Sequence, residues 1–336
     1  MYEQFFGLQK NPFVMSPDPG FLFLTVRHRE ALAGLTYAIL GRKGFVVLTG
    51  EAGTGKTTLL STILQSIPAS RAHFSFVLNP TLTPAEFLEL TLMDFGITEV
   101  PSSKAQRLML LQQFLVDAHK QGKVAVLIID EAHKLGADVL EEIRLLTNFE
   151  TSEGKLLQIV LAGQSELSNL LKREDLRQLR QRIAVRLSVQ PLSENEVEQY
   201  VRHRWLRAGA SQQLPFRAEA ITRISTWSRG IPRVVNAICD NALLLAYGAG
   251  ESSVGVSEIL EVVADLDLLD GSNGFSRPGS PYSIAAPQRS PSEYLPPQAA
   301  GWEQTPLRGV DRDLPAKPRL SLLTRWAVRL GLAPST

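Results

Sequence analysis

The chain of 336 residues holds a single cysteine, Cys239. One thiol cannot build an intrachain disulfide framework or a cysteine-based zinc site. It points instead to a reducing, cytoplasmic setting, with any membrane association arising through partners. Histidine is scarce too. His28, His73, His119, His133 and His203 do not pair at metal-ligand spacing. No apolar run approaches the ~20 residues of a membrane-spanning helix. The N-terminus, Met1-Tyr2-Glu3-Gln4-Phe5-Phe6, lacks the basic n-region and cleavage site of a signal peptide. Excess charge of one sign is also missing. Lys and Arg number 35 against 34 Asp and Glu, for a net charge of +1. The total therefore does not point to DNA or another polyanion, although a local basic patch can bind one while the sum stays neutral.

What the chain does have is the run Gly50-Glu51-Ala52-Gly53-Thr54-Gly55-Lys56-Thr57, followed by Thr58. It fits the phosphate-loop pattern G-x-x-x-x-G-K-[ST] at every fixed position. Glycines let the backbone curl until several N–H groups face one anion. A helix starting near Lys56 adds the positive end of its dipole. Lys56 is placed for the β- and γ-phosphates of ATP, and the Thr57 hydroxyl for Mg²⁺. Phe45–Thr49 reads as a buried strand and Thr58–Ile67 as a helix, the strand–loop–helix setting that the motif needs.

Further short, β-branched runs recur at His73–Leu78, Val124–Ile129, Leu157–Ala162 and Ala184–Val189. Such runs are expected of parallel strands covered on both faces. With helical crossovers they predict a doubly wound α/β domain with a five-stranded parallel sheet over residues 26–190. Its first helix is expected at Val26–Leu40. Residues 1–25, rich in Phe and Pro, are expected to run extended with their aromatics in grooves. After Pro191 the pattern turns helical, opened by Ser193 with Glu196 at the capping-box position. A small all-helical domain is expected over 191–268. Half of the 20 prolines lie beyond Gly271. Residues 269–318 thus read as a Pro/Ser/Gly-rich linker, a disordered tail. At 319–332, Leu322, Leu323, Trp326, Ala327 and Leu330 recur beside Arg319, Arg325 and Arg329, the pattern of a short basic amphipathic helix able to dock on a partner or on the ATPase core, or to lie on an anionic membrane surface.

The strand Val124–Ile129 ends in Asp130 and Glu131. Beside a phosphate loop, the first acid is placed for Mg²⁺ and the second to orient and activate the attacking water. Leu157–Gly163 ends in Gln164, whose amide is within reach of a γ-phosphate or of that water. The stretch Lys172–Arg186 carries six basic residues and two acids. It fits a solvated helix face, a nucleic-acid patch, or an arginine donated across a subunit interface. Arg182, just before the last strand, is the first candidate for such a finger, ahead of Arg177, Arg180 and Arg186. Arg233 opens a helix in Gly230-Ile231-Pro232-Arg233, against the preference of the helix dipole, which suggests an anion nearby.

Together these residues resemble an AAA+ ATPase. Asn11-Pro12-Phe13, Ser16-Pro17-Asp18-Pro19 and His28-Arg29-Glu30-Ala31-Leu32 narrow the resemblance to bacterial ATPases of the ExeA type, the general secretion pathway protein A group, with the TniB and MuB transposition ATPases beside it. The resemblance covers about residues 1–267. It implies a Walker A motif at Lys56 and Thr57, a Walker B motif at Asp130 and Glu131, sensor 1 at Gln164, an arginine finger at Arg182 and sensor 2 at Arg233. It implies ATP and Mg²⁺ as ligands, homo-oligomeric rings or filaments, and a motor or switch in secretion or envelope-complex assembly. The alternative it leaves open is an ATP-dependent DNA-binding scaffold for transposition or replication. Secretion members continue into a membrane span and a peptidoglycan-binding domain, where this chain has the Pro-rich tail.

Overall fold

The computed structural model describes residues 1–268 except Pro17, Asn79, Pro80, Ser211 and Gln212. The linker and the short basic helix expected at 269–332 lie outside the described residues.

Five parallel strands form the central sheet: β1 (Phe45–Gly50), β2 (Ala72–Val77), β3 (Val124–Ile129), β4 (Leu157–Gly163) and β5 (Val185–Val189). Each lies within one residue of its expected bounds. Their order across the sheet is β2-β3-β4-β1-β5. Alternate side chains serve opposite faces, as the period of two in a strand requires. Phe45 and Val47, Leu127 and Ile129, Ile159 and Leu161 face one core. Val46 and Leu48, Val126 and Ile128, Val160 and Ala162 face the other. All six residues of β3 are buried. An unbroken apolar run is what a strand covered on both faces must carry.

Twelve helices accompany the strands among the described residues. The short α1 (Tyr2–Phe5) precedes α2 (Val26–Leu40), and α3 (Lys56–Ser66) follows β1. On one face of the sheet, α2 and α3 pack through Leu35, Ile39, Leu60 and Ile63. The other face is covered by α4 (Pro84–Asp94), α5 (Lys104–Lys120) and α6 (Ala137–Leu146), through Phe87, Leu111 and Ile143 among others. Two short helices, α7 (Ser165–Leu170) and α8 (Arg177–Gln181), join β4 to β5. None of the described helices is long and apolar enough to cross a membrane.

The chain then forms α9 (Glu194–Arg207), α10 (Ala218–Ser228), α11 (Pro232–Ala249) and α12 (Val256–Asp265). Ser193 and Glu196 close a capping box at the start of α9, satisfying two helix-end groups reciprocally. Pro232 opens α11, where its missing N–H costs nothing.

The first 25 residues are not simply extended. Besides α1 they form a 3₁₀ turn at Pro19–Phe21. Tyr2, Phe6, Phe13 and Phe21 share one buried core with Val197, Trp205 and Ile238 of the helical domain. The physical reason is that four large aromatics cannot be hidden in surface grooves. They complete the core of the four helices α9 to α12. We call this segment the strap. Arg204 clamps it: its guanidinium donates to the carbonyls of Pro12 and Val14 and to the Tyr200 hydroxyl, and it lies over the ring of Phe21 at 4.6 Å.

Candidate functional site

The site grows from the C-terminal end of β1, which lies between β4 and β5. In open α/β sheets a ligand crevice opens at the carboxyl ends of strands, where the order switches direction. Gly50 is tight against its neighbour: a Cβ there would lie 2.6 Å from the Val189 carbonyl oxygen. Gly53 and Gly55 take φ of +79° and +97°, values that suit glycine alone. Thr54 is fully buried, with its hydroxyl donating to the Glu51 carbonyl at 2.8 Å. Helix α3 starts at Lys56, so its free N–H groups face the loop.

Lys56 is 5 % exposed, and its ammonium donates to the carbonyls of Gly50 and Glu51, each at 2.9 Å. Burial pulls its pKa down, against the opposing pull of the Asp130, Glu131 and Glu166 carboxylates. A buried cation that faces carbonyls is incompletely compensated, and an anion suits it. The Thr57 hydroxyl donates to Asp130 Oδ2 at 2.6 Å. Asp130 is buried, and its Oδ1 accepts the Glu131 N–H at 2.9 Å. A hydroxyl and a carboxylate side by side are hard oxygen donors, the set that Mg²⁺ prefers. The residues present therefore fit a magnesium–phosphate ligand.

Glu131 sits at φ +52°, a left-handed backbone costly for a side chain with a Cβ. Its Oε2 lies 3.5 Å from both His133 Nε2 and Lys134 Nζ. Gln164 closes β4 and N-caps α7. From the helical domain comes Arg233, in the first turn of α11. A Cβ on Gly53 would meet the Arg233 Cβ at 2.8 Å, so that domain reaches the tip of the loop.

These parts bound one cavity of about 630 Å³, lined by residues 52–58 of the loop, by Glu131, Gln164 and Arg233, and by strap residues between Val14 and Leu24. That volume is within the range of small-molecule sites. Arg182 is not among the lining residues. It follows α8 and acts electrostatically on Glu150, whose carboxyl is held below the usual range by Lys155 first and by Arg182 to a lesser degree. The six basic residues of 172–186 are thus split: beside Arg182, Arg173 pairs with Asp175, Arg180 donates to the Lys172 carbonyl, and Lys172, Arg177 and Arg186 are exposed.

Sequence reasoning passed over several lining groups. His28 is buried, with Nε2 3.3 Å from the Thr54 carbonyl oxygen and Nδ1 2.8 Å from the Thr25 hydroxyl. A carbonyl only accepts, so Nε2 carries the proton and Nδ1 accepts from Thr25. The signal was available: His28 shares a helix face with Ala31, Leu35 and Ala38, and a polar residue on a buried stripe calls for a partner. The strap and the Arg204–Tyr200–Asn236 chain of hydrogen bonds gave no such sign, because their approach to the loop depends on how two distant parts of the chain pack.

Comparison with known proteins agrees with this geometry. Residues 39–171 match the family described as AAA domain. General secretion pathway protein A of Aeromonas hydrophila is 44 % identical over 258 residues, covering 76 % of this chain and 46 % of that protein. The chain thus spans about half the length of that relative. The ATP-dependent target DNA activator B of Escherichia phage Mu is 26 % identical over 261 residues, 75 % of each chain. Among solved structures, the Aeropyrum pernix ORC2 protein, described as ADPNP-ADP complexes, superposes with a TM-score of 0.56 at 17 % identity, over 76 % of this chain and 72 % of that one. That likeness concerns the fold alone. The chain carries an AAA domain over residues 39–171 and is a homologue of general secretion pathway protein A across three quarters of its length.

Proposed function

We propose that the chain hydrolyses ATP with Mg²⁺, in a site between the α/β domain of residues 26–190 and the helical lid of residues 191–268. In this reading it works as an oligomeric switch or motor that assembles an envelope or secretion complex. The carrying observation is the convergence on one cavity of Lys56, Glu131 and Gln164, from three strand ends, with Arg233 from the lid.

The loop N–H groups from Glu51 to Thr58 and the Lys56 ammonium bind the phosphates. Thr57 and Asp130 would hold Mg²⁺, which supplies charge neutralisation at the β- and γ-phosphates. Glu131 orients the attacking water and accepts its proton. The Gln164 amide reads the γ-phosphate position, and Arg233 brings a lid cation to it. Arg182 serves a neighbouring subunit's site in the oligomer, a reading supported by its place outside the cavity of its own chain. An arginine supplied in this way is worth ~10³–10⁵ in rate.

Mg-ATP at a hundredfold over Kd should stabilise the fold by about 2.7 kcal/mol, a rise of roughly 5–10 °C in Tm. Lys56→Ala should remove most of that rise. Glu131→Gln should keep it and lose about two orders of magnitude in turnover. A wild-type protein that shows no shift at millimolar Mg-ATP ends this reading.

A second reading has its own support, the match to the phage DNA activator over 75 % of both chains. Here ATP controls assembly on DNA. Its test is binding to duplex DNA with ATP present, across a salt series. A steep fall in affinity with salt is the mark of phosphate contacts, and no ATP-dependent binding at 50 mM salt rules the reading out.

A further inference from the structure

His133 is the one polar member of the Asp130-Glu131-Ala132-His133 run to which the ATPase reading gives no task. Its ring is mostly covered, with 13 % of the side chain exposed. It stands between two groups that the reading does use. On one side, His133 Nδ1 accepts the main-chain N–H of Gln164 at 3.4 Å. On the other, Nε2 lies 3.5 Å from Glu131 Oε2.

The first contact decides the second. An N–H can only donate, so Nδ1 is the bare nitrogen of the neutral ring and the proton sits on Nε2. That N–H lies on the edge of the ring nearest Glu131, with Nε2 3.5 Å from its Oε2. The ring can therefore act as a strut: a main-chain donor at the end of β4 sets its tautomer, and its far edge brings a hydrogen close to the carboxylate. The Gln164 contact is long for a hydrogen bond and the Glu131 approach stops short of one, as is common at catalytic groups before substrate closes the site.

Two further observations give the strut something to hold. Glu131 has a left-handed backbone, at φ +52°. A backbone held in such a sparsely populated well stays there only through its surroundings. Besides His133, Lys134 reaches the same Oε2 at 3.5 Å. The end of β4 also runs close to the His133 main chain: a Cβ on Gly163 would stand 3.2 Å from the His133 nitrogen. A shift of Gly163 and Gln164 would therefore be felt at His133 through both its backbone and its ring.

We propose that His133 is a positioning residue that ties the direction of the Glu131 carboxylate to the main-chain position of Gln164. The strand end that faces the γ-phosphate would then set the base that activates water. This rests on the assignment of Glu131 as that base.

The test is a double-mutant cycle in the full chain, read by single-turnover hydrolysis and by the Mg-ATP shift in Tm. His133→Ala should lower turnover by roughly 10- to 100-fold, the usual cost of losing a group that orients a reactive one, and leave the ATP affinity within about threefold. In a Glu131→Gln background the same substitution should change the residual rate by less than about twofold, since a strut with nothing to aim has no further effect. His133→Gln, whose amide nitrogen reaches the Nε2 position, should recover part of the rate. His133→Asn, which keeps an acceptor near Nδ1 but falls short of Glu131, should not. Wild-type turnover in His133→Ala overturns the proposal. So does an equal fold-loss in both backgrounds, which would mean a general structural role. Normal turnover in Glu131→Gln alone overturns the base assignment itself, so the two failures are told apart by the single variants.

Discussion

Arg204→Met is the most direct probe of how the strap is held. The substitution keeps most of the apolar stem and removes the guanidinium. Arg204 is 7 % exposed, and three acceptors depend on it: the Pro12 carbonyl, the Val14 carbonyl and the Tyr200 hydroxyl. Tyr200 keeps its donation to Asn236 at 2.9 Å. The two carbonyls lose their donor. A buried acceptor left unsatisfied costs about 1–3 kcal/mol, and the Val14 carbonyl, only partly buried, costs less. The lost stacking on Phe21 and Tyr200, at 4.6 and 5.6 Å, adds about 0.5–1 kcal/mol each. Against this stands the relief of no longer burying a charge. The net is about 2–4 kcal/mol. For a domain of this size that is roughly 4–16 °C in Tm. A second assay locates the loss. Trypsin cleaves after Lys10, whose side chain is half exposed between the buried anchors Phe6 and Phe13 of the strap. If opening precedes cleavage, 2–4 kcal/mol raises nicking by roughly 30- to 1,000-fold. Arg204→Lys should recover little, because a point charge on a flexible stem does not match three acceptors at once. Unchanged melting with unchanged nicking would mean that the aromatics alone seat the strap, and the clamp argument would fall.

Acidification from about pH 7.5 to 5.5 should destabilise the protein through two partly buried histidines. His73 is held below the usual imidazole value by burial first and by Lys123 second, and His203 by burial first and then by Arg207. The unfolded chain takes up protons near pH 6.5 that these folded rings resist, so stability falls as pH drops through that point. The His73→Gln/His203→Gln double variant should flatten the Tm difference between pH 7.5 and 5.5, and an unaltered difference would place the cause elsewhere. Arg182→Ala should leave both Tm and ATP binding within error, since the residue faces Glu150 outside the cavity, and should abolish the rise of specific activity with protein concentration. A concentration-independent rate in the wild type would contradict the trans role. Gly230→Ala should cost about 4 kcal/mol or more and block soluble expression, because a Cβ there would lie 1.9 Å from the Leu192 carbonyl oxygen at φ +71°; a well-folded Gly230→Ala protein would refute that contact.

The parts of this molecule that were legible in its sequence are those governed by local rules. The loop from Gly50 to Thr57 is read directly, because the glycine positions dictate the backbone and the backbone dictates the anion site. The strands were legible because burial on both faces leaves unbroken apolar runs, and β3 with six buried residues is the clearest case. The acids at 130 and 131 were placed by the end of that strand. The strap was misjudged for a different reason. Phe6, Phe13 and Phe21 carry no period that says which surface they will cover, and their partners Val197 and Trp205 lie nearly two hundred residues away. His133 was passed over because motif spacing gives it no required role; its meaning comes only from the turn that brings Gln164 to its ring.

Because the strap lines the cavity and shares the lid core, nucleotide and strap should be linked thermodynamically. The chain passes between the two bodies twice, once where the strap ends at Leu24 and Thr25 and once near Leu192, and both Leu24 and Leu192 line the cavity. A strap that peels away would remove one wall of the site. It would also free Thr25, whose hydroxyl holds His28 against the loop. If the peeled form cannot bind ATP, then ATP must suppress peeling by the factor 1 + [L]/Kd, because ligand stabilises only the closed form. At a hundredfold over Kd, trypsin nicking after Lys10 should slow by about 100-fold. Lys56→Ala should show no slowing, while Glu131→Gln should match the wild type, since it alters chemistry and not binding. Equal nicking with and without ATP, in a protein whose Tm does rise with ATP, would mean that the strap opens without disturbing the nucleotide, and that it serves the lid core alone.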